Sequence, residues 1–471
     1  MFSFSSILAG KITATALKKT GRGATALPGK VALKINPKLL SVVNARCEKK
    51  VIVTGTNGKT TTNNLIHHIL TGEYGSVLSN LKGANMPQGV ASAFINNTQK
   101  RYDWGVFEVD EGSFEEVVSY IKPDYVLITN FFRDQLDRYG EIEHTSQIVC
   151  DALKHLDSTL ILNADDPSVL KFKELGKNNV YYGVAENDLS TRNQGLIETC
   201  FCPVCMNRLD YDYLNYGHVG RYNCKNCGFQ NPPYNYKVSI SRKDGEYHFS
   251  IASDGEILGD VCFGYSGIYN AYNCCAALAF CLEIGMDVKV VKKRVENFEY
   301  HLGRMESFKF PDKLVKLVLS KNPIGLGEVL KIIAHDRGLK SILFILNDNP
   351  ADGKDISWIW DADVEILGNL KDLKSVYCSG IRAEDIALRV KYAGVPPERV
   401  EIIERKKRED GIEKAIQKIL NEKVDVVHVL PTYTAVFKTQ DIILKHSKNL
   451  KTRNHLKPDF CGQNEGEYHG S

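Results

Sequence analysis

The 471-residue chain lacks any long apolar run; its longest uninterrupted stretch, Cys274 to Leu282, falls far short of the roughly 20 residues that cross a bilayer. A secretory pattern is missing too. In MFSFSSILAGKITATALKKTGRG the cations follow the apolar stretch instead of preceding it, and no convincing cleavage site is present. Acidic residues are scarce at the start: residues 1–50 hold eight Lys and two Arg against one Glu. Such a segment can attract anionic lipid headgroups or phosphates, or it can be a solvated helix face with a flexible lead-in. There is no compositional bias either. At 43% hydrophobic and 25% charged residues the chain is an ordinary globular one, which excludes disordered and fibrous classes. The net charge of +3 is too small to imply a polyanionic partner. Thirteen cysteines, an odd number with four in two CxxC pairs, suit a reducing compartment and a bound metal better than a disulfide scaffold. The chain therefore reads as cytoplasmic.

What is present is a rhythm of short β-branched runs and longer amphipathic stretches, the pattern of βα units around a mainly parallel sheet. Strands are expected at 51–55, 104–110, 125–130, 159–166 and 180–184, with helices at 61–71 and 113–121 between them. The rhythm breaks at 198–237, where cysteines, tyrosines and turn residues mark an insertion, and it returns near Gly267. A second α/β domain is expected beyond a boundary near Arg304. The organisation is then a basic segment 1–48, a nucleotide-binding domain 49–304 carrying the insertion, a smaller Rossmann-like α/β domain 305–446, and a loose tail 447–471.

Val51-Ile-Val-Thr-Gly55-Thr-Asn-Gly58-Lys59-Thr60-Thr61 runs a hydrophobic strand through a glycine turn into a Lys-Thr pair that opens a helix. Glycines let backbone N–H groups converge on phosphate, the helix N-terminus adds positive partial charge, Lys59 supplies a full charge and Thr60 can ligate Mg²⁺. The full-length phosphate loop would need Gly at position 53, which is Val, so the loop is a shortened one. A plain tight turn would explain the glycines but not Lys59 and Thr60 together at the helix start.

Cys202-Pro-Val-Cys205 and, after eighteen intervening residues, Cys224-Lys-Asn-Cys227-Gly have the spacing of a four-thiolate zinc ribbon. A closed site of four thiolates leaves no open position, so its expected role is structural. Between the outer cysteines Arg208, Arg221 and Lys225 face Asp210 and Asp212, too slight a cationic excess for nucleic acid.

The shortened GTNGKTT loop resembles that of the Mur ligase superfamily, ATP-dependent enzymes that join amino acids to peptidoglycan precursors or folates. Glu108 in FEVDEGSF, Asn130 in ITNFFRDQLDRYGEIE, Asn163 to Asp166, Asn270 and Asn273 in YNAYNCCAALA, and Gly303 to Glu306 agree in the same order. The resemblance implies a Mur ligase-like parallel-sheet ATPase fold with ATP and Mg²⁺. It makes Gly55, Thr56, Asn57, Gly58, Lys59, Thr60 and Thr61 the phosphate loop, Asn273 and Arg304 nucleotide contacts, and Glu108 with Thr60 the magnesium ligands. Gln135 stands where many members have His, which removes a ligand of their second metal site.

Amino-acid recognition signatures of ordinary Mur ligases are absent from the last domain. In their place stand LSKNPIGLGEVL at 319–330, LNDNPADGKDISWIWDAD at 346–363, SGIRAEDIALRVKYAG at 379–394 and LPTYTAVF at 430–437. With the zinc ribbon, this set resembles the MurT family, synthetase subunits of lipid II isoglutaminyl synthase. The resemblance implies ATP-dependent amidation of the D-glutamate α-carboxylate of lipid II, with ammonia from a GatD-type glutamine amidotransferase subunit and work at the inner membrane face. It also implies that Asp355 orients the partner's catalytic His, although from sequence alone Asp348, Asp352 and Asp355 are equally plausible turn or capping acids. A folylpolyglutamate synthetase-like amino-acid ligase is the alternative.

Overall fold

The computed structural model describes the chain apart from residues 1, 20–23, 82, 134–141, 193–197, 244–245, 264–266, 300–303, 404–410 and 450–471. Its larger sheet has the strand Cys47–Thr54 near the centre, flanked by Tyr102–Glu108 on one side and Tyr125–Ile128 on the other, all parallel. Val77–Ser79 lies outside the first, and Thr159–Asn163 then Asn178–Val184 outside the second. Alternation along the central strand separates two cores. Val51 and Val53 point to the layer holding the helices Lys59–Glu73 and Ile268–Glu283, and Ile52 points to the layer beneath Leu39–Arg46 and Pro87–Asn96. All three are fully buried, each contributing about 1.5–3 kcal/mol.

Three sequence expectations overshoot. The runs at 104–110, 125–130 and 159–166 leave the sheet at Glu108, Ile128 and Asn163. The polar residues beyond these points turn out of the carboxyl edge, where parallel sheets place ligand sites. The helix Lys59–Glu73 starts two residues before the expected 61, because Gly58, in the left-handed region at φ 87°, ends the turn immediately before Lys59.

Past Asn178–Val184 the sheet continues through Tyr236–Lys243, Glu246–Ser253 and Glu256–Val261, the last two pairings antiparallel. This meander lies where the sequence rhythm suggested none. The first residues form helices, not a flexible lead-in. Phe2–Lys19, Leu27–Ile35 and Leu39–Arg46 precede the sheet, and Gly29 N–H donates to Ser92 Oγ at 2.7 Å.

The smaller sheet runs Arg304–Lys309, Leu314–Val318, Val426–Pro431, Lys340–Ile345, Leu373–Ser379, Val400–Ile402. Its first pair is antiparallel and the rest parallel. The helix Tyr433–Asn449 takes in the first residues of the expected tail; the remainder lies outside the described residues.

Candidate nucleotide site

Gly55, at φ 116°, brings the backbone so close to the neighbouring strand end that a Cβ would lie 2.4 Å from Thr129 Oγ1. The loop is pinned from that side. Asn57 N–H donates to Asn130 Oδ1 at 2.9 Å, Asn130 Nδ2 donates back to Asn57 O at 3.1 Å, and Thr56 N–H donates to Asn130 O at 2.8 Å. Asn273 meets Gly58 from the helix Ile268–Glu283, where any Cβ would clash with its Oδ1.

Lys59 Nζ is buried, donating to Gly55 O, to Thr56 O at 3.2 Å and to Glu111 Oε2 at 2.8 Å. Burial alone would push its ammonium down. Glu111 and Asp110 reverse this and hold it above its ordinary range, so it stays charged. Thr60 Oγ1 donates to Glu108 Oε1 at 2.9 Å. Asn80 clamps the Glu108 backbone from both sides, its Nδ2 donating to Glu108 O at 2.8 Å and its Oδ1 accepting from Glu108 N–H at 2.9 Å. Glu108 Oε2 and Asp110 Oδ2 are buried with no hydrogen-bond partner. Thr60, Glu108 and Asp110 line one cavity, and orphaned carboxylate oxygens with a threonine hydroxyl are hard ligands of the kind Mg²⁺ takes, so the residues fit that ion.

These groups open on a cavity of about 450 Å³. Thr56, Lys59, Thr60 and Glu108 form one wall, and Lys321 and Tyr433 of the smaller α/β unit form part of the other. A second cavity of about 100 Å³ adjoins Gly58, with Asn273, Asn270, Tyr216 and Glu328 around it. Asn322 Nδ2 spans the joint, donating to Asn57 Oδ1 at 2.8 Å.

In the insertion, the sulfurs of Cys202, Cys205, Cys224 and Cys227 lie within 4.8 Å of one another. Cys202 to Cys227 and Cys205 to Cys224 are 3.5 Å apart. A tetrahedral zinc with bonds of about 2.3 Å spaces its sulfurs about 3.8 Å apart, so the cluster fits. Each CxxC forms the same turn. Met206 N–H donates to Cys202 O and Gly228 N–H to Cys224 O, both at 2.9 Å, and Met206 and Gly228 each adopt positive φ. The hairpin Asp210–Tyr216 and Val219–Asn223 joins this knuckle to the sheet through Asp165 and Asp166. Asn231 Nδ2 donates to Asp165 Oδ1 at 3.0 Å, and His218 Nε2 lies 3.2 Å from Asp166 Oδ1.

Of the three candidate aspartates Asp348, Asp352 and Asp355, Asp348 pairs with Arg382 at 2.7 Å and Asp352 accepts from the Thr434 backbone and hydroxyl. Asp355 is half-buried and accepts from Ser357 N–H at 2.8 Å. Arg304 begins an edge strand, opposite Val318, but its side chain and Gln135 lie outside the described residues. Sequence reasoning missed Asp110, Glu111 and Asn80 as partners of the loop, although the first two stand two and three residues past Glu108 in FEVDEGSF. It also missed Tyr216. This residue sits in the insertion, far along the chain from the loop, and its hydroxyl accepts from Asn130 Nδ2 at 3.2 Å.

Residues 53–229 match the Mur ligase middle domain and residues 319–436 the MurT ligase C-terminal domain. The MurT subunit of lipid II isoglutaminyl synthase (glutamine-hydrolysing) from Staphylococcus aureus strain COL is 34% identical over 93% of this chain and 96% of its own. The chain belongs to the MurT family. Solved structures extend the likeness at the level of fold. A pseudomurein peptide ligase type C from Methanothermus fervidus is 24% identical with TM-score 0.67, covering 84% of this chain and 79% of its own. MurF ligase from Thermotoga maritima in complex with ADP is 16% identical with TM-score 0.61, covering 90% and 85%. In this MurT-family chain the middle-domain match contains the phosphate loop, Glu108 and the four cysteines, and the C-terminal match contains Lys321, Asn322 and Asp355.

Proposed function

We propose that the chain is an ATP-dependent carbon–nitrogen ligase, the synthetase subunit that amidates the D-glutamate α-carboxylate of lipid II to D-isoglutamine during peptidoglycan synthesis. The observation that carries this reading is the cavity itself, which joins a charged phosphate loop of Mur ligase type to a wall supplied by the MurT-type domain. Lys59 and the N–H groups at the helix start hold the triphosphate, and Asn273, with Arg304 from the joint, contacts the nucleoside. Thr60, Glu108 and Asp110 would hold magnesium, which neutralises charge on the phosphates when bound.

A carboxylate oxygen is a very poor leaving group, so the substrate carboxylate first attacks the γ-phosphorus and ADP departs. Ammonia then attacks the acyl carbon, phosphate leaves, and the nitrogen gives up a proton. The ammonia comes from a GatD-type glutamine amidotransferase subunit. Asp355 orients that partner's catalytic His, a role supported by the internal engagement of Asp348 and Asp352 and the partial exposure of Asp355. The four cysteines hold a structural zinc. The lipid-borne substrate sets the place of work at the inner face of the membrane.

The test is the purified chain with the partner subunit, ATP, lipid II and glutamine. Amide formation is expected, and incorporation of an amino acid in place of ammonia would overturn the reading in favour of a folylpolyglutamate synthetase-like ligase. Asp355→Asn should abolish glutamine-dependent product while leaving turnover with supplied ammonium. Equal loss with both nitrogen sources would remove Asp355 from that role.

A further inference from the structure

The helix Phe2–Lys19 packs through a stripe of small residues with Ile7 beside it, and leaves Phe4, Leu8 and Ile12 on its solvent side. Ser6, Gly10 and Ala14, four apart, form the packed face. Gly10 is so close to Ile95 that a Cβ would lie 2.6 Å from its Cδ1. On the solvent side Phe4 is 74% exposed, Leu8 48% and Ile12 63%, again four apart. The following helix, Leu27–Ile35, leaves Leu27 and Ile35 exposed as well. A helix that covers only its own surface does the opposite. Exposed Lys11, Lys18, Lys19, Lys30, Lys34 and Lys38 accompany this apolar stripe, and no Asp or Glu precedes Glu48.

We propose that this face docks on an anionic lipid bilayer, with Phe4, Leu8 and Ile12 entering the headgroup boundary and the lysines meeting lipid phosphates. Charge decides the occupant. Lysine accompanies apolar residues on membrane-surface helices but is depleted from protein interfaces, and two copies of an acid-free surface would repel each other. Position gives the contact a use. Thr25 and Ala26, between the two helices, line the cavity that carries Lys59 and Glu108, so docking brings that cavity to the surface from which a lipid-borne substrate projects. This purpose rests on the function proposed above; the binding itself does not.

The test is flotation of the full chain with vesicles, in low salt, without substrate. Phosphatidylglycerol vesicles should carry the protein, phosphatidylcholine vesicles should carry roughly tenfold less, and about 0.5 M salt should weaken the first. Leu8→Ser with Ile12→Ser, and separately Lys18→Glu with Lys19→Glu, should each lower binding to the anionic vesicles by roughly tenfold, with thermal midpoint and ATP affinity unchanged. No flotation with phosphatidylglycerol, or equal flotation of wild type and both variants, would overturn the proposal. So would a wild-type dimer or protein complex that Leu8→Ser with Ile12→Ser dissolves without any change in vesicle binding. Vesicle binding that persists while the amidation assay fails would refute the function and leave the docking surface standing.

Discussion

Lys59 has two sets of partners to choose between. Within the protein its ammonium is held by Gly55 O, Thr56 O and the Glu111 carboxylate, a cage that keeps a buried cation charged. A triphosphate arriving at the helix start offers stronger charge-assisted contacts, and the ammonium has only to turn outward from its cage. Lys59→Ala leaves Glu111 buried without its cation and the phosphates without theirs. ATP turnover should fall by roughly 100-fold or more with either glutamine or ammonium as nitrogen source, measured as ADP release. A variant that still releases ADP at the normal rate would contradict the loop assignment. Lys59 and Thr60 were legible from sequence because the chemistry sits in consecutive residues. The Asn130 clamp was only half legible: its motif is visible, but its hydrogen bonds to Asn57 come from a strand that neighbours the loop in space and not along the chain.

At the level of the element, the insertion does more than fold around a metal. Its hairpin delivers Tyr216, whose hydroxyl accepts from Asn130 while its ring borders the cavity next to Gly58. The knuckle thus reaches the phosphate loop in two steps, from Tyr216 to Asn130 by one hydrogen bond and from Asn130 to Asn57 by two. Cys202→Ser with Cys205→Ser should release one zinc per chain, lower the thermal midpoint, and weaken ATP binding several-fold, about the value of one or two lost hydrogen bonds. Metal analysis and nucleotide titration measure the two effects separately. Unchanged zinc content would refute the ribbon, and zinc loss with unaltered ATP affinity would confine its role to folding. The cysteine spacing was readable at once, since two CxxC turns need no long-range information. The strands 236–261 were not: Tyr236, Val238 and Ile240, then Tyr247, Phe249 and Ile251, alternate with polar residues, but an antiparallel extension has no helix between its strands and so breaks the βα rhythm that marks the rest of the sheet.

Across the whole molecule, the two α/β units meet over the nucleotide cavity, and Asn322 marks the joint. Its Oδ1 accepts from Gly325 N–H at 2.8 Å as the cap of the helix Pro323–His335, while its Nδ2 reaches across to Asn57 of the phosphate loop. One side chain therefore fixes both the start of a helix in the smaller unit and its distance from the loop in the larger. Asn322→Ser separates the two duties, since a serine hydroxyl still caps but is too short to span the joint. The thermal midpoint should move little, because the cap survives. ATP affinity should fall about fivefold, the cost of one hydrogen bond at roughly 1 kcal/mol, and the maximal rate should fall with it if closure of the joint is what aligns the carboxylate with the γ-phosphate. Isothermal titration with a non-hydrolysable ATP analogue and the rate at saturating ATP separate these outcomes. Weaker binding at an unchanged maximal rate would mean that the bond only helps to gather the nucleotide. Unchanged binding and rate would show that the units are held over the cavity by their packed surfaces alone, with Asn322 serving its own helix.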